Sequence, residues 1–282
     1  MRRAGDTPLA GLLSQRPLRE RNGIEFSYAP SPEGVSVSIT RGASRVDAIL
    51  EWAMGAGVQA ITPVGRFRGR FFEHRISWYA GRGHGARTIG HPAEPSATPE
   101  SALGLFQDAA TMTRCFQCHG TGVQAGPDLS EMIPGVTCER CHGAGSAHAA
   151  HPASSNIGRL SGKPAAASVA FCAECHRAPS TDPAAAAREH QDPISIRFQP
   201  VGLMASKCYQ ASGALSCVTC HNPHEDLVRD PGFYASRCLG CHSSGGRSPV
   251  SCRRLAREDC LPCHMKRASP LPFLTFTDHR IR

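Results

Sequence analysis

Residues 138–148 read Cys138-Glu139-Arg140-Cys141-His142-Gly143-Ala144-Gly145-Ser146-Ala147-His148. The first five decide the rest: two thiols three residues apart, with an imidazole directly after the second. The same frame lies before it, at Cys115-Cys118-His119, and four times after it, at Cys172-Cys175-His176, Cys217-Cys220-His221, Cys238-Cys241-His242 and Cys260-Cys263-His264. Twelve of the 14 Cys are taken up in this way, and the 14 His divide into six that follow a Cys pair and eight spread over everything else. With His so sparse outside the frames, its presence after all six pairs is not chance composition. The pattern requires a chemistry that uses two thiols and one imidazole together.

Covalent attachment of haem c is that chemistry. Each thiol forms a thioether with one of the two vinyl groups, and the adjacent His reaches the iron from one face as the proximal ligand. Six haems c are therefore expected, attached through Cys115, Cys118, Cys138, Cys141, Cys172, Cys175, Cys217, Cys220, Cys238, Cys241, Cys260 and Cys263. Their proximal ligands are His119, His142, His176, His221, His242 and His264. Zinc knuckles also use C-x-x-C pairs, and the stretches 118–122 and 141–145 resemble the C-x-x-C-x-G-x-G repeat of DnaJ-type chaperones. Only two of the six frames fit that repeat, chance does not put His after all six zinc-type pairs, and a disulfide scaffold gives no reason for six His.

The second axial ligand decides whether a haem passes electrons or binds a substrate. The His left for this role are His74, His84, His91, His148, His151, His190, His224 and His279. His148, His224 and His279 lead as distal candidates, followed by His91 and His190. His148 and His224 come too soon after His142 and His221 to pass round a porphyrin edge, so each is expected to serve a neighbouring haem. Met112 and Met204 could offer sulfur, but a core or gap-filling role is the simpler reading. Met265 directly follows His264 and is poorly placed to reach the opposite face of that haem.

Four stretches resemble the multihaem cytochromes of the cytochrome c-552/4 type, related to the tetrahaem cytochrome of nitrifying bacteria. They are 138–148 above, Met204-Ala205-Ser206-Lys207-Cys208-Tyr209, Leu215-Ser216-Cys217-Val218-Thr219-Cys220-His221-Asn222-Pro223-His224 and Phe276-Thr277-Asp278-His279-Arg280-Ile281. The resemblance covers roughly residues 20–282. It implies distal roles for His148 and His224 and, on a less specific pattern, for His279. Relatives usually begin with an export signal and a further frame, whereas here the longest early apolar run, residues 9–13, is interrupted by Gly11. A signal peptide needs an apolar core of about 7 to 15 residues. The expectation is a periplasmic or extracytoplasmic protein whose natural start lies upstream of Met1.

The balance of 31 Lys and Arg against 23 Asp and Glu gives +8. The basic residues are scattered and not interleaved with aromatics, which argues against nucleic acid. Each haem brings about −2 through its propionates, so six turn the excess to about −4, and the Arg read as propionate partners. No apolar run approaches the roughly 18 residues of a membrane span.

The fold class expected is α+β with little regular secondary structure. Residues 1–21 lack a period and are expected to be disordered, 22–92 form a small antiparallel β unit, and 93–282 form a hexahaem domain of short helices and loops packed around haems. Strand signals lie at 24–28, in the strict alternation Val35-x-Val37-x-Ile39, and at 71–79. Glu51-Trp52-Ala53-Met54-Gly55 is placed between strands with a core-packing Trp, residues 93–98 read as a linker, and Asp182-Pro183 opens a helix. Cys208 and Cys252 remain, and in an oxidising compartment they are expected to pair as a disulfide. The leading function is electron transfer between redox partner proteins. The alternatives are an oxidoreductase acting on a small nitrogen or sulfur compound at one open haem, and a zinc-binding interaction module.

Overall fold

A computed structural model describes residues 1–124, 129–243 and 260–282. The expected partner of Cys208, Cys252, lies outside the described residues. The chain mixes helices with antiparallel sheet and divides into two compact units, Met1–Gly158 with Leu271–Leu274, and Arg159–Pro270 with Thr275–Arg282.

The first unit is built on one sheet whose strands are β1 (Arg2–Arg3), β2 (Leu18–Arg19), β3 (Glu25–Ser31), β4 (Gly34–Arg41), β5 (Ser44–Met54), β6 (Ala60–Phe67), β7 (Arg70–His74), β8 (Ile76–Tyr79), β9 (His84–Arg87) and β10 (Gly104–Phe106). The main path runs β10-β7-β6-β5-β4-β3-β2, with β1 on β5, and β8 joining β6 to β9, all antiparallel. The alternation in β4 puts Val35, Val37 and Ile39 in the core while Ser36, Ser38 and Thr40 stay half-exposed. That is the period of a sheet with one buried face. Residues 51–54 lie inside β5 rather than between strands, and the β5–β6 register shifts between Leu50 and Trp52. A bulge there breaks the alternation that sequence reading relies on. The core-packing reading of Trp52 holds, since its side chain is fully buried.

Residues 1–21 are not disordered. A 3-10 turn at Ala4–Asp6 and helix α1 (Leu9–Ser14) bury Ala4, Leu9, Ala10 and Leu13 in the same core as Ile24, Val37 and Leu50. The apolar run is too short to show a helical period, yet it supplies enough surface to cover one end of a sheet. Residues 93–98 are not a free linker either. The Arg75 guanidinium, in a buried ion pair with Glu20, donates to the carbonyls of Pro92 and Glu94, and Glu20 accepts from the Ser96 amide. The sheet also takes in β10 beyond this segment, so the β structure outgrows the 22–92 boundary.

His74 is fully buried, with Nδ1 donating to the Leu103 carbonyl and Nε2 accepting from the Tyr28 hydroxyl. Burial pushes its pKa down from 6.5 to about 3. The unfolded chain takes up this proton below pH 6.5 whereas the folded one does not until about pH 3. The contribution is therefore complete above pH 6.5 and is lost as the pH falls towards 3, on the order of 5 kcal/mol over the full range. Denaturant unfolding of the β unit at pH 7, 5 and 4 should show this fall, and His74→Gln should flatten it. An equally steep slope in the variant would assign the acid sensitivity elsewhere.

Three more elements complete the first unit: α2 (Ala109–His119), the short pair β11 (Gly120–Thr121) and β12 (Ile133–Pro134), and the helical turns α3 (Cys138–His142) and α4 (Ser146–Ala150). In the second unit the helices are α5 (Ala165–His176), α6 (Pro183–Gln191), α7 (Gln199–Met204), α8 (Lys207–Ser212), α9 (Cys217–Cys220), α10 (Pro231–His242) and α11 (Leu261–His264). The hairpin β13 (Arg267–Leu271) and β14 (Leu274–Thr277) follows. Helix α6 begins as expected, with the Asp182 carboxylate accepting from the Ala184 and Ala185 amides and Pro183 at its first position. Among the described residues from 159 onward no Phe, Tyr or Trp is buried, and the largest buried side chains are Val169, Ile196, Val201 and Leu203. A unit of this length with so thin a side-chain core needs something else to fill it.

Candidate haem-binding site

Every frame coincides with the end of a helix. Five finish on their His, α2 on His119, α3 on His142, α5 on His176, α10 on His242 and α11 on His264. α11 ends on His264 with Cys260 as its N-cap, and α9 spans Cys217 to Cys220 with His221 as its C-cap. Helical positions i, i+3 and i+4 share a face, so in the frames that lie within one helix both thiols and the imidazole project to one side. A planar group bonded twice and ligated once from that side needs this arrangement. None of the twelve frame Cys is fully buried, as attachment requires.

In the first unit α2 is fastened to the sheet. Met112 and Phe116 are buried with Trp52, Val64 and Phe71, and the Phe116 ring meets Trp52 edge-on at 5.7 Å and Phe71 at 5.8 Å. The Asp108 carboxylate caps the helix by accepting from the Thr111 amide. Met112 is thus a core residue, which leaves it committed to packing. Burial raises the Cys115 thiol, with the Glu73 carboxylate adding to the effect, and burial lowers His119. Glu73 also lies 3.4 Å from Nε2 of His91, which is buried and has no partner for Nδ1.

The second frame is exposed and is closed by the segment that follows it. His142 Nδ1 donates to the Gly158 carbonyl at 2.7 Å, and Gly158 returns its amide to the His142 carbonyl at 2.9 Å. On α4, Nδ1 of His148 faces the Ala153 carbonyl at 3.1 Å and Oδ1 of Asn156 at 2.9 Å.

In the second unit the frames are in series. α5 packs on α9, α9 on α10, and α10 on α11. The thiols of Cys172 and Cys217 share a hydrogen bond, so the third and fourth frames touch at their attachment points. Cys238 is pushed up to about 11 by burial and by nearby Cys260, Cys220 and Cys208. His279 enters the same group. Its ring centre lies 6.2 Å from that of His221, with the planes inclined at 35°. Nδ1 of His279 donates to the Thr277 carbonyl at 3.0 Å, and burial, followed by His221 and His176, lowers its pKa against the smaller upward pull of Thr277. The chain around it is fixed closely. A Cβ on Gly202 of α7 would stand 3.2 Å from that of His279, and Arg280 donates to the Ser195 hydroxyl.

Other candidates are placed differently. His224 and His190 are exposed, the latter in the last turn of α6, and Met204 is exposed at the end of α7. His74 is spent on the β core. The residues sequence reading missed are the ones that hold imidazoles in place: Asn156, Gly158, Gly202 and the carbonyl of Thr277. None of these carries a spacing or composition signal.

Two thiols and an imidazole at a helix end resemble the arrangement by which c-type cytochromes bind haem c covalently. Residues 77–143, about a quarter of the chain, match the family of cytochrome c554 and c-prime, and that stretch holds the first two frames and His91. The match supports a cytochrome c family and, with it, an electron-transfer role; such proteins are typically extracytoplasmic. No curated protein and no solved structure matches the chain. Among the described residues no helix is long and apolar enough to cross a membrane.

Proposed function

We propose that this chain carries electrons between redox partner proteins outside the cytoplasm, through six haems c attached at the six frames and held mainly by paired His. Haem c supplies the reversible one-electron iron couple. The residues supply attachment, axial ligation, exclusion of water and contact between sites.

The carrying observation is the spacing of His221 and His279. Two imidazoles that hold one iron would stand with their ring centres on the order of 6 Å apart. The observed separation is 6.2 Å. Nδ1 of His279 is the donor to a carbonyl, which leaves Nε2 with the lone pair a metal takes. On this reading His279 would hold the same iron as His221, as a residue brought from the far end of the chain. The thin side-chain packing after residue 159 supports the same reading, because six porphyrins would complete the core. The contacts from α5 to α9, α10 and α11 give the last four frames a linear order.

Were every iron held by two His, no position would be open, and carbon monoxide should not bind to the reduced holoprotein. An unchanged Soret spectrum under the gas is the expected result. Binding at one haem of six would instead favour the oxidoreductase with an open site.

A further inference from the structure

We infer that Asn156 is a positioning residue for His148, fixing its tautomer and setting the electron donation of its Nε2; this rests on the ligand role proposed for His148. Both groups facing Nδ1 of His148 are oxygens, the Ala153 carbonyl at 3.1 Å and Oδ1 of Asn156 at 2.9 Å. Oxygen acceptors require Nδ1 to carry the hydrogen, so Nε2 holds the lone pair. The orientation of the Asn156 amide is itself determined. Its Nδ2 donates to the carbonyls of His151 at 2.8 Å and Ala147 at 3.3 Å, which forces Oδ1 towards His148. Its own backbone amide is tied to the Ala153 carbonyl at 3.3 Å.

Asn156 therefore bridges the helical turn that bears His148 and the loop that follows, and it presents a neutral acceptor to the ring. A stronger acceptor on Nδ1–H makes an imidazole a better donor at Nε2 and favours the oxidised metal, whereas losing the acceptor does the opposite. The same loop supplies the Gly158 carbonyl to His142, so one short segment orients two imidazoles of the first unit.

The test is a spectroelectrochemical titration of holoproteins carrying Asn156→Asp and Asn156→Leu, beside His148→Ala, with intact mass confirming unchanged haem attachment. Asn156→Asp should move one reduction midpoint negative and Asn156→Leu should move the same midpoint positive, the haem remaining low-spin in the former. His148→Ala should make that haem high-spin. Midpoints that stay in place, or move together in both variants, would overturn the role of Asn156 while leaving His148 as a ligand. A low-spin spectrum unchanged in His148→Ala would remove the ligand and this inference with it.

Discussion

Replacing His279 with alanine should convert one of the proposed six haems of the holoprotein from low-spin to high-spin, and adding imidazole to the variant should restore the low-spin spectrum. The expectation follows from the 6.2 Å between the rings of His221 and His279 and from the tautomer set by Thr277. His279 is half-buried, so its loss should open a site that added imidazole can enter. Paramagnetic resonance of the oxidised protein reads the change directly, and carbon monoxide should then bind the reduced variant at that one haem. The midpoint of the affected haem should rise, because a strong donor to the oxidised iron has gone. If the spectrum stays wholly low-spin, another residue ligates that iron and the ring spacing has a structural cause only.

The second large effect concerns folding. A chain made without haem attachment should keep the β unit and lose most order after residue 159. The β unit has its own core, in which Leu9, Ile24, Val37, Ile39, Leu50 and Phe72 are essentially inaccessible to solvent. The region after 159 has no buried aromatic ring among its described residues, and helices as short as α9 and α11 are not stable alone. Hydrogen exchange read by mass spectrometry would show slow amides in β3 to β7 and fast ones throughout α5 to α11 in the haem-free chain. In the holoprotein both groups should be slow. Protection after 159 without haem would mean that side chains alone suffice to hold that unit.

The candidate attachment frames are legible in the sequence because they are local: two thiols and an imidazole lie within five residues, at the end of a helix. The alternation in β4 was legible for a similar reason, as its side-chain period is that of the strand itself. What escaped is non-local or irregular. The bulge at Glu51 hid β5, the longest strand, by breaking its period. The helix at Leu9–Ser14 was too short to declare itself, and its burial depends on a sheet formed by later residues. The ring contact of His279 with His221 joins residues far apart in sequence, and the hydrogen bond of Asn156 to His148 has no periodicity to betray it. His91, buried beside Glu73, was a candidate from sequence for its place in the chain alone, and its unpartnered Nδ1 is a structural fact.

The central claim is six covalent haems on one chain, and their number can be counted. Pyridine haemochrome absorbance per mole of protein, together with intact mass, should be measured on the chain exported behind an added signal in a host that matures cytochromes c. The expected result is a mass increment of six haems and a matching absorbance. A mass equal to that of the bare polypeptide, with zinc bound in place of haem, would contradict the account.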